Sequence, residues 1–201
     1  MAKLRNKRVI FVGLALSGAL VWVVGGQTED DSRREAAHLA NRVWVERMPK
    51  SRLDVVGHFV ALEVSRGRFG SVGRASHWRA FAEGFRWAEH DGEMVFYFPQ
   101  QDRRANVPVH TWACEGEVPA PFELCLQFGT GARSQVFYSR RRWKVRPHAE
   151  SFVVEDGAKL PVPVESLVGL GVGAAGADGA DHELRGETVD WLPGEPLPVA
   201  D

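Results

Sequence analysis

Residues 81–128 read FAEGFRWAEHDGEMVFYFPQQDRRANVPVHTWACEGEVPAPFELCLQF, and this stretch decides the fold. Large apolar side chains recur at every second position, the period of a strand with one buried face. Asp91-Gly92 is a two-residue hairpin signal, because glycine tolerates the positive φ of a tight turn. A turn centred there sets Trp87 opposite Phe96 and Phe85 opposite Phe98, with all four rings on one face. A second hairpin follows. A loop around Glu117–Ala120 sets Ala113 opposite Leu126 and Thr111 opposite Phe128, and places Cys114 directly opposite Cys125 on the other face. Turn residues, alternation and cysteine placement agree, and that consistency predicts a Cys114–Cys125 disulfide in an oxidising compartment.

Outward from this stretch the same period continues. Arg42–Met48 is a first strand with Trp44 and Glu46 on one face, ended by Pro49. Val55–Val64 is a second, with Val56, His58, Val60, Leu62 and Val64 sharing a face and Val55, Phe59 and Ala61 the other. Gly67, Gly70 and Gly73 have a G-x-x-G-x-x-G spacing that matches neither dinucleotide nor P-loop patterns, so they read as a bent strand or a hairpin with a glycine kink. Gln135–Ser139 returns beside the second hairpin, with Leu126 meeting Val136 and Leu124 meeting Tyr138. Trp143–Arg146 and Ser151–Val154 are candidate closing strands. The prediction is an all-β fold: an antiparallel up-and-down barrel of about eight strands over residues 42–155.

The flanks differ. Lys3, Arg5, Lys7 and Arg8 precede an uncharged run from Val9 to Gly26, the pattern of an export signal or a signal-anchor helix. Residues 1–26 therefore predict export to the periplasmic or extracytoplasmic side, either cleaved or tethered by a transmembrane helix, with the basic end in the cytoplasm. Residues 27–41 read as a short amphipathic helical spacer, capped by Asp30, Asp31 or Ser32. Residues 156–201 are rich in Gly, Ala, Pro and acid and are expected to be mostly disordered, with Leu160–Leu170 able to lie across the barrel and Trp191-Leu192 as a local contact.

Seven histidines occur, none at a metal-ligand spacing. His58 and His110 lie on strands, where a wall or surface position is the ordinary one. Ser76-His77 lacks a nucleophile elbow, and Glu83 and Glu89 fall on alternating positions that ordinarily face solvent. The sequence therefore offers no catalytic constellation, metal site or cofactor motif. Arg140, Arg141, Arg142, Lys144 and Arg146, interrupted by Trp143, form a basic patch. It suits an arginine packed on tryptophan, a contact with the chain's acidic tail, or anionic lipid headgroups. Nucleic acid is not an expected partner of an exported protein.

The aromatic hairpins, the Trp44 strand near the start and the Arg-rich Trp143 strand near the end resemble a lipocalin-like (calycin) barrel over roughly Asn41–Val154. The resemblance implies a closed meander of eight strands with a turn or helix over one mouth, and a first-strand tryptophan near an arginine from the last strand. The family's Gly-x-Trp first-strand pattern is replaced by Arg42-Val43-Trp44. The run from Trp44 to Pro49, W-x-x-R-M-P, is similar to uncharacterised exported bacterial proteins and implies no activity. A barrel of this size holds either its own side chains or one small ligand. Three functions are thus expected from the sequence. The first is binding of a small apolar or amphipathic ligand by Phe85, Trp87, Phe96, Phe98, Leu124 and Leu126. The second is a filled, ligand-free structural or interaction module with an envelope protein partner. The third is a lipocalin-like isomerase or hydrolase.

Overall fold

A computed structural model describes residues 39–65, 67–90, 92–114, 116, 118–148, 151–161, 184, 187–193 and 195. The helices expected within residues 1–38 lie outside this set, as does most of the stretch 162–186. Eight strands form a closed antiparallel barrel: β1 (Arg42–Val45), β2 (Val56–Val64), β3 (Gly67–Ala75), β4 (Ala80–His90), β5 (Glu93–Phe98), β6 (Arg103–Ala113), β7 (Leu124–Phe128) and β8 (Gln135–Ser139). Each pairs with its neighbour in sequence, and β8 returns to β1 through Val45 and Tyr138. This is the expected up-and-down order. Two further strands, β9 (Val145–His148) and β10 (Ser151–Val154), form a separate hairpin, and β11 (Glu187–Thr188) runs parallel to β6.

The first aromatic hairpin has the expected register, with Trp87 opposite Phe96 and Gly92 at φ 79° in its turn. The second differs by two residues: Ala113 faces Leu124 and Thr111 faces Leu126. A two-residue shift keeps every side chain on its face, so the disulfide still forms. Cys114 reaches diagonally to Cys125, with Cα atoms 5.3 Å apart, within the bridging range. The β7–β8 pairing departs more seriously. Leu126 meets Phe137 and Leu124 meets Ser139, a one-residue slip from the expected partners. That slip puts Phe137 in the interior and turns Tyr138 outward. Nor do β9 and β10 close the barrel. They pack outside it.

That outer hairpin explains why β1 and β2 are buried on both faces. Outward-facing Val43, Val45, Val56, Val60, Leu62, Phe69 and Ala75 form a second apolar cluster with Phe122, Trp143 and Val145, and partly buried Phe152, Val154 and Leu160 pack on it. The glycine-rich stretch Gly67–Ala75 forms one continuous strand, paired with β2 and β4, rather than a hairpin. A side chain at Gly70 would meet the Val60 carbonyl at 2.2 Å and the Phe85 ring at 2.5 Å, so β3 passes close to its neighbours only because Gly70 has none.

Candidate functional site

The barrel interior is the place where the sequence put a ligand, and the structure brings all six of those residues there. Phe85, Trp87, Phe96, Phe98, Leu124 and Leu126 are all buried and belong to one cluster. What that cluster contains decides what the interior does. Phe59 on β2 stacks on Phe85 of β4 at 5.4 Å between ring centres, and meets Phe128 of β7 at 4.8 Å and Phe96 of β5 at 5.9 Å. Phe96 in turn meets Phe85 at 5.1 Å and Phe128 at 6.0 Å, and Phe128 meets Phe137 of β8 at 5.9 Å. These are favoured aromatic contact distances. Because β2, β5 and β7 are not neighbours in the sheet, the contacts run across the barrel axis. Phe59 and Phe137 lie outside the six residues that the sequence assigns to the interior wall, and Phe128, which shares the face of Leu126 in the expected hairpin, joins those six there. Phe59 shares β2 with a richer apolar face that turned out to be the outer one.

Both mouths are occupied by the chain itself. Alternating strand directions place the turns 46–55, 76–79, 99–102 and 129–134 at one mouth, and residues 39–41 with the turns near 65, 92 and 114–123 at the other. At the second mouth Leu39 is buried, and its carbonyl accepts the Trp44 indole N–H at 3.1 Å. Arg42 is buried beside it and donates to the Arg140 carbonyl at 2.6 Å, which joins the first strand to the end of the last. Burial lowers the Arg42 pKa from its ordinary value. At the first mouth the tail returns. β11 adds to β6 at Arg103 and Arg104, beyond the part of that edge that β7 pairs. Arg104 donates to Thr188 Oγ1 at 2.9 Å and to the Leu184 carbonyl at 3.2 Å. Trp191 then lies against Phe98 at 4.8 Å and Phe96 at 5.6 Å, with Leu192 buried beside it. Arg133 holds this turn through ion pairs to Asp190 and to Glu195. The expected local contact at Trp191-Leu192 is therefore a plug in the barrel mouth.

The candidate polar residues separate. Glu83 is half-buried, which raises its pKa, and accepts a hydrogen bond from Gln101 at 2.5 Å. Glu89 sits opposite Met94 near the other end of β4. Ser76 and His77 form a turn and no hydrolytic pair: Ser76 Oγ accepts the backbone N–H groups of Trp78 and Arg79, while the His77 ring lies edge-on to Trp78. His110 is exposed and stacked on Trp112 at 5.1 Å. His58 is fully buried on the outer face of β2, between Val45 and Gly73, with neither ring nitrogen hydrogen-bonded. Burial pushes its pKa down to about 4. Among the described residues no group of three or more His, Cys, Asp or Glu is placed to hold a metal ion.

The basic patch is dispersed. Arg141, Arg142, Lys144 and Arg146 are exposed, Arg140 is half-buried, and Trp143 is buried in the outer cluster against Phe122 at 6.0 Å. Arg146 pairs with Glu155 at the start of the acidic tail, one of the contacts the sequence offered. The cation on a tryptophan lies elsewhere: Arg68 sits 5.0 Å from the Trp87 ring centre.

Compared with protein-family models, with curated proteins and with solved structures, the chain matches none.

Proposed function

We propose that this protein is an exported, non-catalytic barrel whose interior is its own aromatic core and which acts through its surface as an interaction module of the cell envelope. The observation that carries this reading is Phe59, whose ring touches Phe85, Phe96 and Phe128 across the axis. The volume in which a lipocalin-like barrel would hold a ligand is crossed by these rings. Trp191-Leu192 at one mouth and Leu39 at the other support the same reading. The closed eight-stranded meander with N-terminal residues under one mouth supports a place among lipocalin-like barrels. The basic N-terminal run followed by apolar residues 9–26 supports the export step, and the Cys114–Cys125 bridge accords with an oxidising compartment. Organic extraction of the purified protein, with titration by a hydrophobic fluorophore, tests the reading. No lipid that survives removal of phospholipid vesicles by gel filtration and no saturable fluorophore binding that quenches the lumen tryptophan Trp87 are expected. Saturable quenching of Trp87 by the fluorophore overturns the filled-barrel function.

A second reading keeps the ligand. It is favoured by the plug, which is fastened by a two-residue strand and by the exposed Arg133 ion pairs. An apolar molecule would displace Trp191 and rest on Phe96 and Phe98. This reading expects fluorophore binding that rises sharply when residues 187–201 are removed.

A further inference from the structure

The mouth that Trp191 closes also carries the most exposed large apolar side chains of the described residues. Leu53, Trp78 and Phe81 are 77%, 65% and 70% exposed. Leu53 stands on the turn before β2, Trp78 on the turn between β3 and β4, and Phe81 just past that turn, in the second residue of β4. The two turns are joined by a hydrogen bond from the His77 N–H to the Arg52 carbonyl at 3.1 Å. Ser76 Oγ fixes the second turn from within, so the three apolar side chains are held on braced turns and the start of the strand that leaves them. Lys50, Arg52, Arg74 and Arg79 surround them, all exposed. Arg74 lies directly across the β3–β4 ladder from Phe81. None of the four forms an ion pair with a carboxylate among the described residues, although Lys50 lies within the electrostatic reach of Asp54. The carboxylates nearby are committed: Asp54 to Arg47 and the Lys50 N–H, Glu83 to Gln101, Glu46 to the Gly57 N–H.

We infer that this rim docks on an anionic lipid bilayer, with Leu53, Trp78 and Phe81 entering the interface and Lys50, Arg52, Arg74 and Arg79 resting among the headgroups. Two physical points select lipid over an acidic protein. The apolar side chains each stand mostly out in solvent, so a protein partner needs a matching pocket for them, whereas a fluid interface closes around them. Tryptophan with arginine is also the pairing that membrane–water interfaces favour, apolar body inward and cation at headgroup level. Leu39 lies at the opposite mouth. The lipid contact does not depend on whether the lumen is filled.

The test uses the full-length protein with vesicles of brominated phosphatidylcholine, alone or mixed with phosphatidylglycerol, reading tryptophan quenching. Subtracting a Trp78→Phe variant isolates Trp78 from the six other tryptophans. On mixed vesicles a Trp78-dependent quenched component is expected. It should disappear on phosphatidylcholine alone, and the combined R52Q, R74Q and R79Q substitutions should weaken it on the order of a hundred-fold. These residues are exposed, so the variants should keep the wild-type melting temperature. Equal quenching of wild type and W78F overturns the proposal. Quenching that persists without phosphatidylglycerol and in the triple variant also overturns it, because the surface then does not recognise charge. If polyglutamate binds the wild type but not the triple variant while lipid leaves Trp78 unquenched, the occupant is an acidic protein and the lipid assignment fails.

Discussion

His58 shows how a single side chain can set the acid limit of a fold. It is buried with both ring nitrogens unpartnered, so the folded state resists its protonation and holds its pKa near 4. The unfolded chain takes up that proton near pH 6.5. Between those values the unfolded state binds more protons, so stability must fall as pH drops from about 6.5 to about 4, by about 3 kcal/mol in all. Denaturant melts at neutral and mildly acidic pH should show this loss, and His58→Leu should remove it. The same substitution should stabilise the protein at pH 7 by about 1 kcal/mol, because it relieves unpaired polar atoms. Asp54 acts in a lower window. The hydrogen bond from Arg47 holds its pKa below the usual carboxylate range, so its contribution is present above about pH 4 and is lost only below that. Gly70 is the complementary case, where the requirement is for no side chain. Gly70→Ala would drive a methyl group into the Val60 carbonyl and the Phe85 ring, and should cost about 2–4 kcal/mol in a chemical melt.

At the level of elements, the second hairpin and the tail behave differently. Cys114 and Cys125 tie the end of β6 to β7 across a short loop, with a sequence separation of 11. Reduction should destabilise the protein by about 2–3 kcal/mol, and alkylation without reductant should leave both cysteines unmodified. β11 has only two residues, and the Arg104 and Arg133 contacts that fasten the tail are exposed or half-buried, so Trp191 is its main buried anchor. Trp191→Ala should free residues 187–195 to limited proteolysis, while the barrel itself stays resistant. Cleavage of the barrel at the same rate would mean that the plug is part of the core. The first aromatic hairpin was legible because it alternates cleanly: Phe85, Trp87, Phe96 and Phe98 face inward between more polar neighbours. QVFYS at 135–139 was not. Val136, Phe137 and Tyr138 are all apolar or amphipathic, so a one-residue slip leaves the pattern intact while exchanging the faces.

The whole molecule is an aromatic-filled barrel with a second apolar layer on one wall. Phe59 is the hub of the inner layer, so Phe59→Ala should cost about 3–5 kcal/mol. If the variant still folds, the space left should admit a small hydrophobic fluorophore that the wild type excludes. The outer layer has a different origin. Phe122, Trp143, Val145 and Phe152 come from segments after β6 and after β8, and they cover the wall made by β1, β2 and β3. This accounts for the burial of both faces of β2, and for the dispersal of the basic run once its tryptophan was drawn into that layer. The same arrangement leaves Leu53, Trp78 and Phe81 exposed at the rim.

The all-β class, the meander of about eight strands, the first hairpin's register and the cysteine pair follow from the amino-acid order alone. These rest on local geometry: a two-residue period, a turn glycine and residues near one another along the chain. Folding in three dimensions settles which face of β2 is the lumen, that β9 and β10 cover the wall rather than close it, and that Trp191 returns across about ninety residues of chain to plug the mouth beside Phe98. Such contacts depend on how much apolar surface each wall leaves uncovered. That quantity exists only once the strands have closed into a barrel.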